Sequence, residues 1–429
     1  MKHAKFSRAA LSLALLPVFL SSITQPAGAA DSARWWKGNL HTHSLWSDGD
    51  DYPEMIADWY KKNGYHFLML TDHNTLSEGE RWSGVATNRG GQPALDKYVK
   101  RFGGQWVEQR TENGKLQVRL KTFEEFRTLF DEPGRFLMIQ GEEVSDRYKN
   151  APVHVNATNV RKVIKPQGGD SVLATMQNNV DAVLKQREET GQLIYPHINH
   201  PNFQWAITAE ELMQVKGEKF FEVYNGHPLV HTEGDATHAG IERMWDIVLT
   251  RRLAELGLPV MYGLGTDDSH HYHTNAIGKS NSGRGWVVVR AASLTADNLI
   301  RALEAGDFYA SSGVTLKDVR RETSGLTVEI AAEPGVTYTT QFIGTRKGYD
   351  PKNEPVRAAS GEALRVTHRY SQDIGQVLAE VKGTSASYTF KGDEIYVRAK
   401  VTSSKVKKNP CVEGEYEAAW VQPAVPGKR

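Results

Sequence analysis

Two histidines one residue apart, His41 and His43, follow an apolar step in the stretch NLHTHSLWSDGD, and Asp48 lies five positions further on. In an extended chain residues i and i+2 point the same way, so both imidazoles fall on one face. Neutral imidazoles and carboxylates are the donors that hold zinc, manganese or iron. The same residue types recur downstream: Asp72 and His73 after YHFLMLT, Glu142 and Glu143 after RFLMIQ, and His154 in PVHVNAT. His197 and His200 follow QLIYP, and Asp267, Asp268 and His270 stand in PVMYGLGTDDSHH. Thirteen of the 15 histidines lie between His41 and His273, a little over half of the chain, so they are concentrated where these clusters are. One such residue at a strand end is an ordinary polar group or a helix cap. Five clusters, each directly after an apolar run, converge if the strands are parallel, because the C-terminal rim of a parallel barrel gathers catalytic groups.

The elements needed to do this can be read from the pattern. Pro53, Met55, Ile56, Trp59 and Tyr60 predict a helix from Tyr52 to Asn63 closed by Gly64. Thr122 with Glu125, and Thr208 with Glu211, are capping boxes that open two further helices. Long helices are expected over 171–190, ended by Gly191, and over 240–256, ended by Gly257. Short apolar strands alternate with these helices about seven times, which implies a mostly parallel sheet, closed or nearly so. Residues 82–121 break the rhythm with Gly-rich, charged sequence and are expected to form an inserted loop or small subdomain. After about Val314 the runs GLTVEIAA, VLAEVKG, ASYTFKG and EIYVRAKVTSS alternate in the β manner, implying a smaller all-β domain of sandwich type over 314–429.

NLHTHSLWSDGD, LTDHN, GEEVS followed by His154, NHP and GTDDSH resemble, in order, the motifs of the PHP (polymerase and histidinol phosphatase) family. The resemblance runs from Trp35 to Gly313. It implies an α/β fold, a distorted (β/α)7 TIM-like barrel over residues 30–313, with two or three divalent ions. Carried over by position, it implies His41, His43, Asp48, His73, Glu143, His154, His200, Asp268 and His270 as metal ligands. Glu142 competes with Glu143, Asp267 with Asp268, and His197 is an alternative to His200.

The chemistry that such ligands support is hydrolytic. Clustered ions lower the pKa of a bridging water and neutralise charge on phosphoryl oxygens, so a metal-bridging hydroxide attacking a phosphomonoester or phosphodiester is the expected reaction. No Gly-x-Ser-x-Gly nucleophile is present, and the GKS at 278–280 lacks the glycine of a P-loop. Around the ligands, Asp72 could orient a histidine or cap a helix, and His271 or His273 could protonate a leaving oxygen. Lys279 and Arg284 could grip a phosphate. Glu222 and Asn225 end the next strand and could shape the pocket, and Trp205 belongs to an aromatic wall or to the core. Two rivals remain. An amidohydrolase-type enzyme also begins with His-x-His but often needs a bridging lysine at a strand end. A non-catalytic metal- or glycan-binding protein would leave so many ligands unexplained.

Residues 1–29 have the form of a signal peptide: Lys2, Lys5 and Arg8, then AALSLALLPVFL, then Ala27-x-Ala29. The apolar run is too short for a bilayer span, which needs roughly 20 residues, so secretion, to a periplasm, is the expectation. Without that segment 49 Lys and Arg face 51 Asp and Glu, a near-neutral balance that argues against an extended nucleic-acid partner. A small phosphate ester is the expected partner, no membrane span is expected in the mature chain, and the oligomeric state is left open. Cys411 is the sole cysteine, which excludes an intrachain disulfide and a thiolate zinc site.

Overall fold

The computed structural model describes residues 33–427, with Met1 and His3; the expected signal segment otherwise lies outside the described residues. From Ala33 onward the chain is one compact unit.

The chain enters through β1 (Arg34–Asn39), α1 (Pro53–Lys62) and β2 (Phe67–Leu70). Residues 81–120 form the insertion, with β3 (Arg81–Gly84), α2 (Gly91–Phe102), β4 (Gln109–Glu112) and β5 (Lys115–Leu120). It is a small subdomain: an antiparallel sheet of order β3-β5-β4 with α2, in which Leu95 and Tyr98 of α2 and Val118 and Leu120 of β5 pack with Leu45, Trp46 and Tyr52 of the main body. Next, α3 (Phe123–Phe130) opens on both halves of the Thr122–Glu125 capping box and packs its phenylalanines on Ile56 and Tyr60 of α1. Then come β6 (Leu137–Tyr148), β7 (Ala151–Thr158), α4 (Val172–Thr190), β8 (Tyr195–Ile198) and the single turn α5 (Ala209–Leu212). The run continues with β9 (Phe220–Asn225), α6 (Ile241–Arg251), β10 (Tyr262–Thr266), β11 (Trp286–Ala291), α7 (Ala296–Glu304) and β12 (Phe308–Ser311).

One large mixed sheet holds these strands in the order β10-β9-β8-β7-β6-β2-β1-β11-β12, and it continues into the C-terminal strands. β1, β2 and β6 are parallel, as are β8, β9 and β10, while β7 runs antiparallel to both of its neighbours. A regular sevenfold βα repeat is therefore absent. RFLMIQ does not end at Glu142; the strand runs on to Tyr148 and turns back as a hairpin, which pairs Glu143 with Asn156 and Ser145 with His154. β11 lies antiparallel on the outer edge of β1, so the ladder is open along most of its length. Past Asn39 the chain leaves β11. There His43 N donates to Ser269 O (2.9 Å) and Asp268 N to His41 O (3.0 Å), which joins the ends of β1 and β10. Seven strands, β1, β2 and β6 to β10, thus meet around one cluster of histidine and carboxylate side chains.

The remaining elements are β13 (Leu316–Glu322), β14 (Gly325–Ile330), β15 (Tyr338–Arg346), β16 (Asn353–Glu354), β17 (Arg369–Tyr370), β18 (Gln376–Lys382), β19 (Ser385–Thr389), β20 (Glu394–Val406) and β21 (Tyr416–Ala424). The large sheet crosses position 313 through β12-β21-β20-β15-β18. β13-β14-β19 form a second sheet, and Leu326, Val328 and Ile330 share a core with Phe342, Val397 and Val421. Two contacts tie this region to the site-bearing part. The Gln422 amide makes both hydrogen bonds to Gly263 on the edge of β10. The buried Arg398 guanidinium forks onto Asp246 of α6 at 2.7 and 2.8 Å. Among the described residues no helix is long and apolar enough to cross a membrane.

Candidate metal centre

The ring of strand ends brings together all nine residues named as ligands from the sequence: His41, His43, Asp48, His73, Glu143, His154, His200, Asp268 and His270. An ion bonded at roughly 2.0–2.1 Å separates tetrahedral donors by about 3.3 Å. His41 Nε2, His43 Nε2 and Asp268 Oδ1 lie 3.1, 3.2 and 3.3 Å apart. Glu143 Oε1 is 3.4 Å from His41 Nε2 and 3.5 Å from His200 Nε2. Asp48 Oδ1 is 3.2 Å from His270 Nε2 and 3.4 Å from His73 Nε2, with His43 completing that group. Glu143 also meets His154 Nδ1 at 2.9 Å and His73 Nδ1 at 2.5 Å. His43 and Glu143 are buried, yet His43 Nδ1 and Asp48 Oδ1 have no hydrogen-bond partner. Buried polar atoms without partners are costly unless something else engages them. The donor set and spacing fit divalent ions.

The backbone is bent to make this cluster. His200 and Asp268 have φ of 22° and 48°, the left-handed region that side chains avoid at about 1–3 kcal/mol each. Backbone bonds hold both: His200 N donates to Glu222 Oε2, and Asp268 N to His41 O.

The electrostatics call for positive charge. Burial alone would lower the His41 pKa, but Asp268, Glu222 and Glu143 outweigh it and hold the pKa well above its ordinary value. His73 is raised to about 9: burial is outweighed by Glu143 and Asp48. Burial would raise Glu143 and Asp268, but the surrounding imidazoles hold both carboxyls well below the usual range. His43 goes the other way, to about 3, through burial and the neighbouring His270 and His73. Carboxylates stay anionic while several imidazoles compete for protons, a demand that a divalent ion meets in the protons' place.

Both paired ambiguities have a geometric answer. Glu143 faces the cluster, whereas Glu142 accepts from Ile164 N and is pushed up to about 8 by burial. Asp268 faces the cluster. Asp267 instead accepts from Tyr60 Oη and from the N–H groups of Gly283, Arg284 and Gly285. His200 reaches Glu143, while His197 lies one layer deeper, fully buried, with Nε2 3.5 Å from Glu222.

Several other expectations are corrected. Asp72 does not orient a ligand histidine: it is buried and accepts from Ser44 N, Ser44 Oγ and Ser47 Oγ, pinning the loop that carries Asp48. His273 does not face the cavity, because Asp50 O takes its Nε2 and Lys97 its Nδ1. Arg284 cannot grip a phosphate. It is fully buried, with its guanidinium on the carbonyls of Gly226, Ala276 and Lys279 and on Asn409 Oδ1. Lys279 is exposed, and His271 is half-buried beside Ser280 with Nδ1 at 3.1 Å from its hydroxyl. Trp205 is stacked between His231 and His238 at ring distances of 4.4 and 3.9 Å, so neither face is open.

Sequence reasoning gave Glu222 only a pocket-shaping role and missed His227. Glu222 is a hub: Oε1 accepts from His41 Nδ1 (2.6 Å) and Thr266 Oγ1 (2.8 Å), and Oε2 from His200 N (2.8 Å) and Asn225 Nδ2 (2.8 Å). A hydrogen bond at Nδ1 fixes the tautomer that leaves Nε2 free to ligate. Asn225 also reaches Asp268 Oδ2 at 3.2 Å. His227, just past β9, packs 5.6 Å from the His270 ring, and Leu229 N donates to its Nδ1, so its Nε2 carries the proton. The signal for both was the same strand-end position that singled out the ligands.

Fold and site together define a class: an α/β protein with a multi-carboxylate, multi-histidine cluster, able to bind divalent metal, at its strand ends. The sequence matches no family model and no curated protein. Solved structures similar to the chain include a two-domain protein from Bacteroides vulgatus ATCC 8482 containing a predicted PHP-like metal-dependent phosphoesterase. The two share 15% identity over 92% of this chain and 95% of that one, with a TM-score of 0.38. An amidohydrolase from Chromobacterium violaceum matches at 12% identity over 55% and 88%, TM-score 0.29. An inferred metal-dependent phosphoesterase from Bifidobacterium adolescentis ATCC 15703 matches at 14% over 62% and 94%, TM-score 0.28. Likenesses this distant say nothing about side-chain chemistry, which has to come from the residues themselves.

Proposed function

We propose that this chain is a metal-dependent phosphoesterase acting on a small phosphomonoester or phosphodiester. The observation that supports it is the convergence of nine histidine and carboxylate donors in one cluster at ion-ligand spacing. His41, through its one free nitrogen, would hold an ion either with His43 and Asp268 or with Glu143 and His200, and Asp48, His73 and His270 would hold another, with Glu143 shared toward His154. Zinc, manganese or iron in two or three sites would suit these donors. Such ions supply Lewis acidity toward phosphoryl oxygens and hydroxide near neutral pH.

The chain's own groups do the rest. Glu222 holds the His41 tautomer, and Asn225 steadies Asp268. His227, whose Nδ1 accepts from Leu229 N, keeps Nε2–H as a candidate donor to a phosphoryl oxygen. His271 is the candidate proton donor to the departing alcohol, because its Nδ1 is engaged by Ser280 and its Nε2 is left over. Lys279 is a further candidate for the substrate's charge. The buried lysines Lys121 and Lys407 pair with Glu108 and Glu415, so neither offers the bridging lysine of an amidohydrolase.

The seven strand ends are read as a distorted PHP-type barrel spanning residues 30–313, with 314–429 as an accessory β-domain. Export through the first 29 residues, to a periplasm, is part of the same reading. The test is hydrolysis of 4-nitrophenyl phosphate and bis(4-nitrophenyl) phosphate by metal-loaded protein, alongside an amide and lactone panel. Turnover of a phosphate ester, lost on chelation and in His41→Ala, is expected. Activity persisting through both treatments, or turnover of amides alone, refutes the reading.

A further inference from the structure

The insertion carries one cationic side chain to the metal rim. Arg89 lies in the turn between β3 and α2, with its NH2 3.4 Å from Asp48 Oδ2. The other oxygen of that carboxylate, Oδ1, faces His270 and His73. Guanidinium and ion-binding donors therefore meet opposite edges of a single carboxylate, within the span of one phosphoryl group.

The turn is built to hold this position. Thr87 N and Asn88 N both donate to Gly84 O, Asn88 Oδ1 accepts from Gly91 N, and Asn88 Nδ2 donates to Ser83 Oγ. Gly90 packs so closely that a Cβ there would lie 2.3 Å from Asp50 O. Asp50 N in turn donates to His270 O at 2.9 Å. Backbone contacts thus fasten the Arg89 turn to the same loop that carries Asp48 and to the strand end that carries His270.

The side chain itself is 58% exposed, and Asp48 is its one acidic partner among the described residues. A cavity of about 330 Å³ opens beside it, lined by Ser47, Gly49, Arg81, Trp82, Asn88 and Arg89. Arg81 is engaged with Trp46 O, so Arg89 presents the available guanidinium on that wall.

We propose that Arg89 binds a non-bridging oxygen of the substrate phosphoryl group, with the alcohol portion of the ester in the adjoining cavity. The inference rests on the phosphoesterase reading and gives the insertion a role in substrate binding. A guanidinium fork matches phosphate oxygens in two-point geometry. Its present ion pair is exposed, and such pairs contribute little, so exchanging Asp48 for phosphate meets little resistance. A fixed positive group at that edge also opposes the charge that develops as the ester bond breaks.

The test uses inorganic phosphate as probe, titrated into metal-loaded full-length wild type, Arg89→Lys and Arg89→Ala, with metal content and circular dichroism measured on each. Arg89→Ala is expected to weaken phosphate binding at least tenfold and Arg89→Lys less, with kcat/KM for 4-nitrophenyl phosphate falling in step. Phosphate affinity in Arg89→Ala within twofold of wild type, with ions retained, overturns the proposal. Arg89-dependent phosphate binding in a protein that hydrolyses no phosphate ester supports the anion site and sinks the phosphoesterase reading. Hydrolysis with Arg89-independent phosphate binding does the reverse.

Discussion

Replacing Glu222 with glutamine changes one oxygen to nitrogen in a fully buried hub. The four hydrogen bonds of the carboxylate all come from donors: His41 Nδ1, Thr266 Oγ1, His200 N and Asn225 Nδ2. A glutamine amide offers one acceptor, so two of these donors must face an N–H. If the amide nitrogen lies toward His200 and Asn225, the backbone N–H of the strained His200 loses its partner, which costs about 1–3 kcal/mol for a buried donor. If it lies toward His41, the imidazole must accept at Nδ1, which puts the proton on Nε2, the atom that would bind metal. Either route weakens the ions held by His41, and removing such an outer partner typically costs 10–100-fold in metal affinity, or about 1.4–2.7 kcal/mol. The assay is competition for zinc or manganese against a chromophoric chelator at fixed pH, with unfolding curves run in parallel. A folded Glu222→Gln protein that binds metal within twofold of wild type would refute the reasoning.

Other outcomes follow from the same geometry. Asp268→Asn should lower the number or affinity of bound ions. Asp267→Asn should leave bound metal unchanged while destabilising the fold by about 1–3 kcal/mol, through its three backbone N–H partners; elemental analysis and thermal unfolding separate the two. Arg398→Ala should destabilise by about 3–5 kcal/mol in chemical unfolding, because it leaves the buried Asp246 carboxylate without its fork. His73 has a folded pKa of about 9 against about 6.5 unfolded. Its contribution to the ion-free protein is thus complete below about pH 6.5 and lost as pH rises through 9. Unfolding free energy of the chelated protein should fall across that window, and bound ions should remove the His73 share of the fall.

The clustering of the candidate ligands was legible because its signal is local: histidine and acid types placed directly after apolar runs, which a sheet brings to one end. Asp72 carries the same signal as His73, so sequence position could not reveal that serine donors of the Asp48 loop claim it. Arg284 was misread for a related reason, since an arginine beside Lys279 looks free until the carbonyls of Gly226 and Ala276 are seen to fold over it. Strand direction was also hidden. RFLMIQ and PVHVNAT read as separate strands, and nothing in their alternation says that the first continues through Glu143 into a hairpin. The insertion was recognisable by its break in rhythm. The reach of Arg89 to Asp48 depends on tertiary packing at Gly90, which leaves no trace in composition.

The most direct test of the central claim is anomalous diffraction from crystals of the protein loaded with zinc or manganese, recorded at the metal edge. Two or three peaks are expected within the ring of strand ends, each within about 2.5 Å of donors from His41, His43, Asp48, His73, Glu143, His154, His200, Asp268 and His270. Peaks elsewhere on the molecule, or none at these donors in a crystal that carries metal, would contradict it.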